Sequence, residues 1–246
     1  METSLVNQEE FMASPMGQAI AELDTEMSKR NMPPIQLNVI GGFALMLHGA
    51  RDINDQTDID YVGKSLPEEI TEIANPIGVK HGLGNGWINN DVMLSGTDME
   101  SFEFTTGKLH FKPALTTDNI RINILDPEDL LRLKIISIDT ASTAIEVGGD
   151  FTRAKDIPDI IKLSEMQHTT PQHAVAKYSS YLISPHTAHI IDAYEKNGAI
   201  GVEDYIDEIR KNTRATKPNR KLPSTPPSAT LTEQEAIDQI MGIFFD

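Results

Sequence analysis

The stretch "VIGGFALMLHGARDINDQTDIDYVG", residues 39–63, places two adjacent glycines ahead of an Asp-Ile-Asp triplet. The overlapping segment "IQLNVI", residues 35–40, has the apolar and β-branched content of a short strand, and "TDIDYV" alternates polar and apolar residues as a second strand does. Between them, "GGFALMLHG" predicts a turn into a helix that ends near Gly49. The stretch therefore predicts a strand, a glycine turn, a helix, a loop and a return strand.

The two aspartates of the triplet are placed to act together. Residues i and i+2 of a strand point to the same face, so Asp58 and Asp60 would project together while Ile59 and Tyr61 face the core. Two carboxylates that close repel each other, so one should be protonated or the pair should hold a cation. Carboxylate oxygens suit Mg²⁺ or Mn²⁺ together with substrate phosphates. The other interpretation is an edge strand with an ordinary solvated acidic face.

The glycines favour the metal-site interpretation. A turn at Gly41 and Gly42 would let the backbone approach a ligand closely and direct helix N-terminal amides at an anion. A phosphate site and a metal site on neighbouring strands together predict a nucleoside-triphosphate pocket. The Walker A and G-x-G-x-x-G motifs are absent. A calcium loop starting at Asp52 fails because its sixth position is Thr57 and its twelfth is Gly63.

Composition restricts the class of protein. The 246 residues include 37 acidic and 21 basic ones, for a net charge of -16, and no cysteine. This charge argues against a protein that binds nucleic-acid backbones over its whole surface. It does not exclude a local basic groove, so binding of nucleic acid stays an open alternative. The lack of cysteine excludes disulfides and Cys-based zinc sites. With no secretory signal and no apolar run of the ~20 residues that a membrane helix needs, we expect a cytoplasmic protein without membrane contact.

The rest of the chain predicts an α+β fold. Residues 8–30 have the spacing of an amphipathic helix, and "LPEEITEIAN" should also be helical. Three extended segments would continue a small mixed sheet: residues 101–105, 108–113 and 119–125. A helix should begin after Asp126, with Pro127 at its first position, and from residue 151 onward the pattern is mostly helical.

These segments suggest a domain organisation. We expect an N-terminal helix at 1–34, a core at 35–150, a helical region at 151–212, a flexible linker at 213–229 and a C-terminal helix at 230–246. The linker is indicated by its content of Pro, Ser, Thr and Lys. The C-terminal helix would carry apolar side chains that need a surface to bury against, either the body of the protein or a partner: Ile237, Ile240, Met241, Phe244 and Phe245.

The combination of motifs resembles a known superfamily. A strand ending in Gly-Gly, a short helix, a polar loop with Arg51 and Thr57, and Asp-x-Asp on the next strand resemble the nucleotidyltransferase superfamily, the DNA polymerase β-like fold. "LDPEDLLRLKIIS" followed by "FTRAKDIPDIIKL" is similar to the pattern of the AbiEii toxin-like and related uncharacterised bacterial nucleotidyltransferase groups. In those groups a Lys on a helix after the sheet precedes an Arg…Lys-Asp…Asp cluster. The resemblance covers roughly residues 35–163.

The resemblance implies an activity. A member of the superfamily moves a nucleoside monophosphate from a triphosphate to an acceptor hydroxyl of a protein, an RNA or a small molecule, with Mg²⁺ as cofactor and pyrophosphate as leaving group. The toxin-like groups add a role as the toxin of a toxin–antitoxin pair. Carried over, Gly41 and Gly42 would hold the triphosphate, and Asp58 and Asp60 would bind the metal.

The resemblance assigns roles to four further residues. Lys134 would approach the nucleotide phosphates, and Asp156 would assist as a polar or basic group near the transfer site. Arg51, with Thr57 in the same loop, is placed for a phosphate contact. Structural alternatives remain open: Lys134 could extend along its apolar helix face to solvent, and Asp156 could cap the helix of "IPDIIKL".

The sequence also departs from the superfamily pattern. Many members have Ser at the position of Gly42. Because glycine has no side chain, this sequence lacks the hydroxyl contact that the Ser would make. The superfamily commonly uses a third carboxylate on a later strand, and here Glu103 is the first candidate and Asp91 the second. The alternative function is a catalytically degenerate binding or regulatory module that acts through a protein partner. That partner would be an antitoxin or a second copy of the chain, engaged by the C-terminal helix.

Overall fold

The computed structural model describes residues 7–53, 58–91, 99–146 and 150–216. The chain divides into two compact units, Met1–Arg210 and Lys211–Asp246, and the sheet lies in the first. The helix predicted at 230–246 and the predicted linker from residue 217 onward lie outside the described residues. Among the helices of the described ranges, none is long and apolar enough to cross a membrane.

A mixed sheet forms the centre of the first unit. Its five strands are β1 Ile35–Val39, β2 Ile59–Val62, β3 Ile88–Asn89, β4 Phe111–Thr116 and β5 Ile120–Leu125, in the order β3-β2-β1-β5-β4. Strand β1 is antiparallel to β2, with Val39 opposite Tyr61, and parallel to β5. Strand β3 pairs parallel to β2, with Asn89 opposite Asp60. The strands predicted around the glycine turn are confirmed.

Helices flank the sheet and make up most of the other described residues. They are α1 Gln8–Ala13, α2 Pro15–Lys29, α3 Gly41–Leu47, α4 Glu68–Lys80, α5 Met99–Thr106, α6 Pro127–Glu146, α7 Ile157–Met166, α8 Pro171–Lys177 and α9 Thr187–Thr216. Short 3₁₀ turns occupy Ala154–Asp156 and Ser179–Tyr181, and the backbone of α9 leaves the helical region at Asn197 and Gly198. The α+β class, with a helical C-terminal region, is confirmed.

Two predicted elements were wrong. The helix expected over 8–30 is two helices, because Ser14 has an extended backbone and its Oγ accepts a hydrogen bond from the Gly17 amide at the start of α2. The strand expected at 101–105 lies inside helix α5. A short alternating segment does not by itself exclude a helix, and here the Thr106 hydroxyl donates to the Phe102 carbonyl one helical turn away. In addition, α9 extends to Thr216, so the first four residues of the predicted linker are helical.

Because side chains alternate along each strand, the two faces of the sheet differ in burial. One face is fully buried and carries Leu37, Val39, Ile59, Ile122 and Ile124, each at most 1% exposed. Helix α3 packs against strands β2 and β5 and also contacts helix α6. Because successive residues of a strand face opposite sides, the same alternation directs half-buried Asp60 away from the core.

The single tryptophan attaches strand β3 to helix α4. Trp87 is 1% exposed, its indole nitrogen donates to the Ala74 carbonyl at 2.7 Å, and its own carbonyl accepts from the Ile59 amide at 2.6 Å. A Cβ atom on Gly78 would overlap the Trp87 ring and the Gly84 carbonyl. Trp87 is therefore a packing residue, and Gly78 is the small residue that admits it.

Gly78→Ala should destabilise the protein by about 2 kcal/mol, because the added methyl group forces the Trp87 ring out of its place. Chemical denaturation followed by Trp87 fluorescence measures this. The neighbouring Val79→Ala is the control: Val79 is 57% exposed, so its change should stay within about 0.5 kcal/mol. An equal loss in both variants would contradict the packing role.

Histidine 48 joins the end of α3 to the end of β5. Its Nε2 donates to the Leu125 carbonyl at 2.8 Å, and the side chain is 2% exposed. Its Nδ1 is buried without a hydrogen-bond partner among the described residues. Burial lowers the pKa of His48, and the charge of Lys112 acts in the same direction, against the Leu125 hydrogen bond and the charge of Asp126. The ring is therefore neutral in the folded protein near neutral pH.

The free energy of unfolding should fall as the pH is lowered from about 7.5 to about 5, because the unfolded chain protonates His48 near its ordinary pKa of 6.5 while the folded chain does not. His48→Gln keeps a donor for the Leu125 carbonyl but does not titrate. The difference in unfolding free energy between the two proteins should shrink toward low pH. A difference independent of pH would contradict the neutral buried ring.

Candidate active-site cleft

The glycine turn brings the backbone against the second aspartate. Helix α3 starts at Gly41, whose φ of 67° lies in the left-handed region, and Ile40 before it is extended. The Ile40 amide donates to the Asp60 carbonyl at 2.9 Å, and a Cβ atom on Gly41 would lie 3.0 Å from Asp60 Oδ2. Glycine is therefore required at position 41 both for the backbone conformation and for this close approach.

The two aspartates interact electrostatically, as their spacing predicts. Asp58 immediately precedes β2, Asp60 lies within it, and both are half-buried. Burial raises the pKa of Asp60, and the negative charge of Asp58 raises it further. A hydrogen bond with Asn89 on β3 and the charge of Lys134 act in the opposite direction. The pair is thus held together against its own repulsion, which a bound cation would relieve.

The two candidates for a third carboxylate have different surroundings. Asp91 follows β3, and its charge also raises the pKa of Asp60, so it acts on the pair. Glu103 lies on α5, and its Oε1 accepts a hydrogen bond from the Leu109 amide at 2.9 Å. Across the described ranges, no three acidic or histidine side chains form a group that could hold a metal ion. Asp91 therefore acts on Asp60 through its charge, whereas the Glu103 carboxylate binds the backbone.

A network of ion pairs connects three parts of the chain beside the aspartates. Lys134 on α6 places its Nζ 2.6 Å from Asp156 Oδ1 and 2.8 Å from Asp159 Oδ2. Arg51, in the loop after α3, donates to both carboxylate oxygens of Asp159, at 2.8 and 2.6 Å. Arg153 contacts Asp156 Oδ2 at 3.2 Å.

Asp159 is the carboxylate that the network shares. It is 5% exposed, and burial by itself raises its pKa. The hydrogen bond from Arg51 and the charge of Lys134 outweigh burial, so the pKa of Asp159 lies below its ordinary value. A charged carboxylate at this depth requires partners of this kind, because an unpaired buried charge is strongly unfavourable.

The predicted residues surround one cleft of about 410 Å³, within the range of small-molecule sites. It is lined by seven of the residues singled out from the sequence: Gly41, Gly42, Arg51, Asp58, Asp60, Lys134 and Asp156. Apolar side chains form another part of its wall, namely Ile40, Phe102, Leu130, Leu133 and Ile136. Neither Glu103 nor Asp91 is among the lining residues, and Thr57 lies outside the described residues.

Three charged residues of this site belong to the Arg…Lys-Asp…Asp cluster of the resemblance but were given no role from the sequence. Arg153 and Lys155 line the cleft, and Asp159 binds Arg51 and Lys134 behind it. All three lie in "FTRAKDIPDIIKL", where four charged residues within seven positions precede an apolar run. That density of charge beside a core helix was the available signal.

Asp159→Asn should lower the free energy of unfolding by about 3 kcal/mol, because it leaves Lys134 and Arg51 partly buried with reduced compensation. Urea denaturation measures the loss. Glu165→Gln is a matched control on the same helix: its side chain is 62% exposed and its contact with Lys162 is 3.6 Å, so the change should be within about 0.5 kcal/mol. Similar losses in the two variants would contradict a structural role for the shared carboxylate.

The cleft thus combines a carboxylate pair, a close backbone turn and four cationic side chains. Comparisons of the chain with protein-family models, with curated proteins and with solved structures found no match in any of the three. The function therefore has to be argued from the geometry and charge of this cleft.

Proposed function

We propose that the protein is a Mg²⁺-dependent nucleotidyltransferase that moves a nucleoside monophosphate from a triphosphate to an acceptor hydroxyl. The observation that supports this best is the charge of the cleft. In a chain of net charge -16, the lining carries four cations, Arg51, Lys134, Arg153 and Lys155, against three aspartates. A carboxylate pair beside a cluster of cations suits a ligand that is itself an anion bound to a metal ion.

The residues present fit a divalent cation. Asp58 and Asp60 supply hard oxygen ligands, and the raised pKa of Asp60 reflects burial and a repulsion that such a cation would relieve. Gly41 leaves open the space that a Cβ atom would occupy next to Asp60. When bound, Mg²⁺ or Mn²⁺ would neutralise charge that develops on the transferring phosphoryl group.

The side chains of the cleft supply the remaining parts of the reaction. The acceptor oxygen forms a bond to the α-phosphorus, the bond from that phosphorus to the bridging oxygen breaks, and pyrophosphate leaves with the electron pair. The hydroxyl proton passes to a carboxylate of the cleft, either Asp156 or a member of the Asp58–Asp60 pair. Lys134 is held in place by two carboxylates, and its charge reaches Asp60.

The acceptor is a protein hydroxyl, an RNA or a small molecule in this proposal. Incubating the protein with each α-labelled triphosphate and cell extract would identify both the nucleotide and the acceptor class, because the label moves to the acceptor. A role as the toxin of a toxin–antitoxin pair is part of the same proposal. It predicts that expression arrests growth and that the product of an adjacent gene relieves the arrest.

Asp58→Asn and Asp60→Asn should each reduce nucleotide transfer by roughly a hundredfold or more, because each removes a charge from the metal-binding pair. Transfer of label from each triphosphate is the activity readout. A second readout is the stabilisation of the protein by Mg²⁺ together with triphosphate in thermal unfolding, which both variants should lose.

Asp118→Asn is the control for these variants, because it makes the same chemical change at an exposed position between β4 and β5. It should leave transfer and ligand-induced stabilisation unchanged. Full transfer by either active-site variant would contradict the mechanism.

A second candidate function is a catalytically degenerate module of the same fold. The observation that favours it is the absence, across the described residues, of a three-member group for a metal ion, together with the structural use of Glu103. Such a module would act through a protein partner, with residues 230–246 as its contact. No stabilisation by any triphosphate, with or without Mg²⁺, would favour this candidate over the enzyme.

A further inference from the structure

The four cations of the cleft divide into two groups by the partners they have. Lys134 contacts two buried carboxylates, and Arg51 is bound in bidentate fashion by Asp159. The negative charges of Asp156 and Asp159 therefore balance Lys134 and Arg51. These two cations therefore fix the arrangement of the side chains in the cleft and add little net positive charge to it.

Arg153 and Lys155 form the other group. Arg153 immediately precedes the 3₁₀ turn before α7, Lys155 lies within that turn, and both line the cleft. The Arg153 side chain is 45% exposed, and its ion-pair partner is Asp156, which Lys134 already contacts at the shorter distance of 2.6 Å. Lys155 is exposed and has no hydrogen bond or ion pair within the described ranges. Of the four cations, these two are therefore the ones whose charge is not taken up mainly by Asp156 and Asp159, and we call them the Arg153–Lys155 arm.

We propose that the Arg153–Lys155 arm binds the β- and γ-phosphates of the nucleotide, and hence the pyrophosphate that leaves. This inference rests on the proposed function. The Asp58–Asp60 pair accounts for the metal ion, and Lys134 and Arg51 are occupied by carboxylates, so the arm is the remaining source of positive charge for the phosphates farthest from the sugar. A guanidinium beside an ammonium group suits two adjacent phosphates, because the first binds two oxygens in a fork and the second acts as a point charge.

The arm would also act during the reaction. As the bond from the α-phosphorus to the bridging oxygen breaks, negative charge accumulates on the β-phosphate of the departing pyrophosphate. Cations that already contact that group stabilise the charge without rearranging. The arm thus contributes to catalysis as well as to binding, whereas the base and sugar of the nucleotide do not contact it.

Equilibrium binding of Mg²⁺-pyrophosphate and of the four Mg²⁺-nucleoside triphosphates tests the proposal, with nucleoside monophosphates as ligands that lack the distal phosphates. Lys155→Gln and Arg153→Gln should each weaken pyrophosphate and triphosphate binding about fivefold, and the double variant about twentyfold. Monophosphate binding should change less than about twofold. The losses for the two phosphate-rich ligands should become smaller at high salt.

Lys162→Gln is the matched control, since it removes one exposed positive charge on α7 outside the cleft lining. It should leave all three kinds of binding unchanged. Lys155→Gln is the decisive variant, because Lys155 forms no ion pair with any of the residues that the structure describes, so the substitution disturbs none of them.

The outcomes separate the inference from the function on which it rests. If the wild type binds and uses a triphosphate but the arm variants bind pyrophosphate as tightly as the wild type does, the proposed function stands. The proposed role of the arm in phosphate binding is then overturned. If the variants weaken monophosphate binding as much as they weaken triphosphate binding, the arm does not bind the β- and γ-phosphates specifically. If the wild type binds no triphosphate, both proposals are overturned.

Discussion

One buried carboxylate, Asp159, is the contact on which the cleft depends. It binds Arg51 from the loop after α3 and Lys134 from α6, and it belongs to α7. The same interaction therefore joins the sheet region to the helices that follow it and orients two of the cations that line the cleft. A buried charge requires such partners, because the free-energy cost of leaving it unpaired exceeds that of ordering two long side chains.

In the aspartate pair, unlike at Asp159, the unfavourable interactions outweigh the favourable ones. Strand alternation brings Asp58 and Asp60 together, and Gly41 lets the backbone approach Asp60 without a side chain between them. Burial and the charge of Asp58 both raise the pKa of Asp60, so the folded chain retains an unfavourable interaction at this point. Unfavourable charge interactions that persist in a cleft are typical of functional sites, and here they support a site for a cation.

Local patterns predicted much of the fold. The strand, glycine turn, helix and return strand at residues 35–62 are confirmed, because turn residues and alternation act over a few positions. The strand predicted at 101–105 was wrong because five alternating residues are too few to distinguish a strand from part of a helix, and the segment lies inside α5. Arg51 was predicted as a phosphate contact, whereas in the structure its guanidinium binds Asp159, 108 residues away. No local pattern reports a pairing at that separation.

The sequence by itself determined the candidate residues: the glycine turn and the aspartate pair follow from residue type and spacing, and Lys134 and Asp156 are implied by the family resemblance. Only the tertiary structure decided which cations are paired with buried carboxylates and which stay exposed on the wall of the cleft. Lys134 and Arg51 are paired with buried aspartates, whereas Lys155 is exposed on the wall of the cleft. The physical reason is that charge compensation depends on distances of a few ångström between side chains that are far apart in the chain.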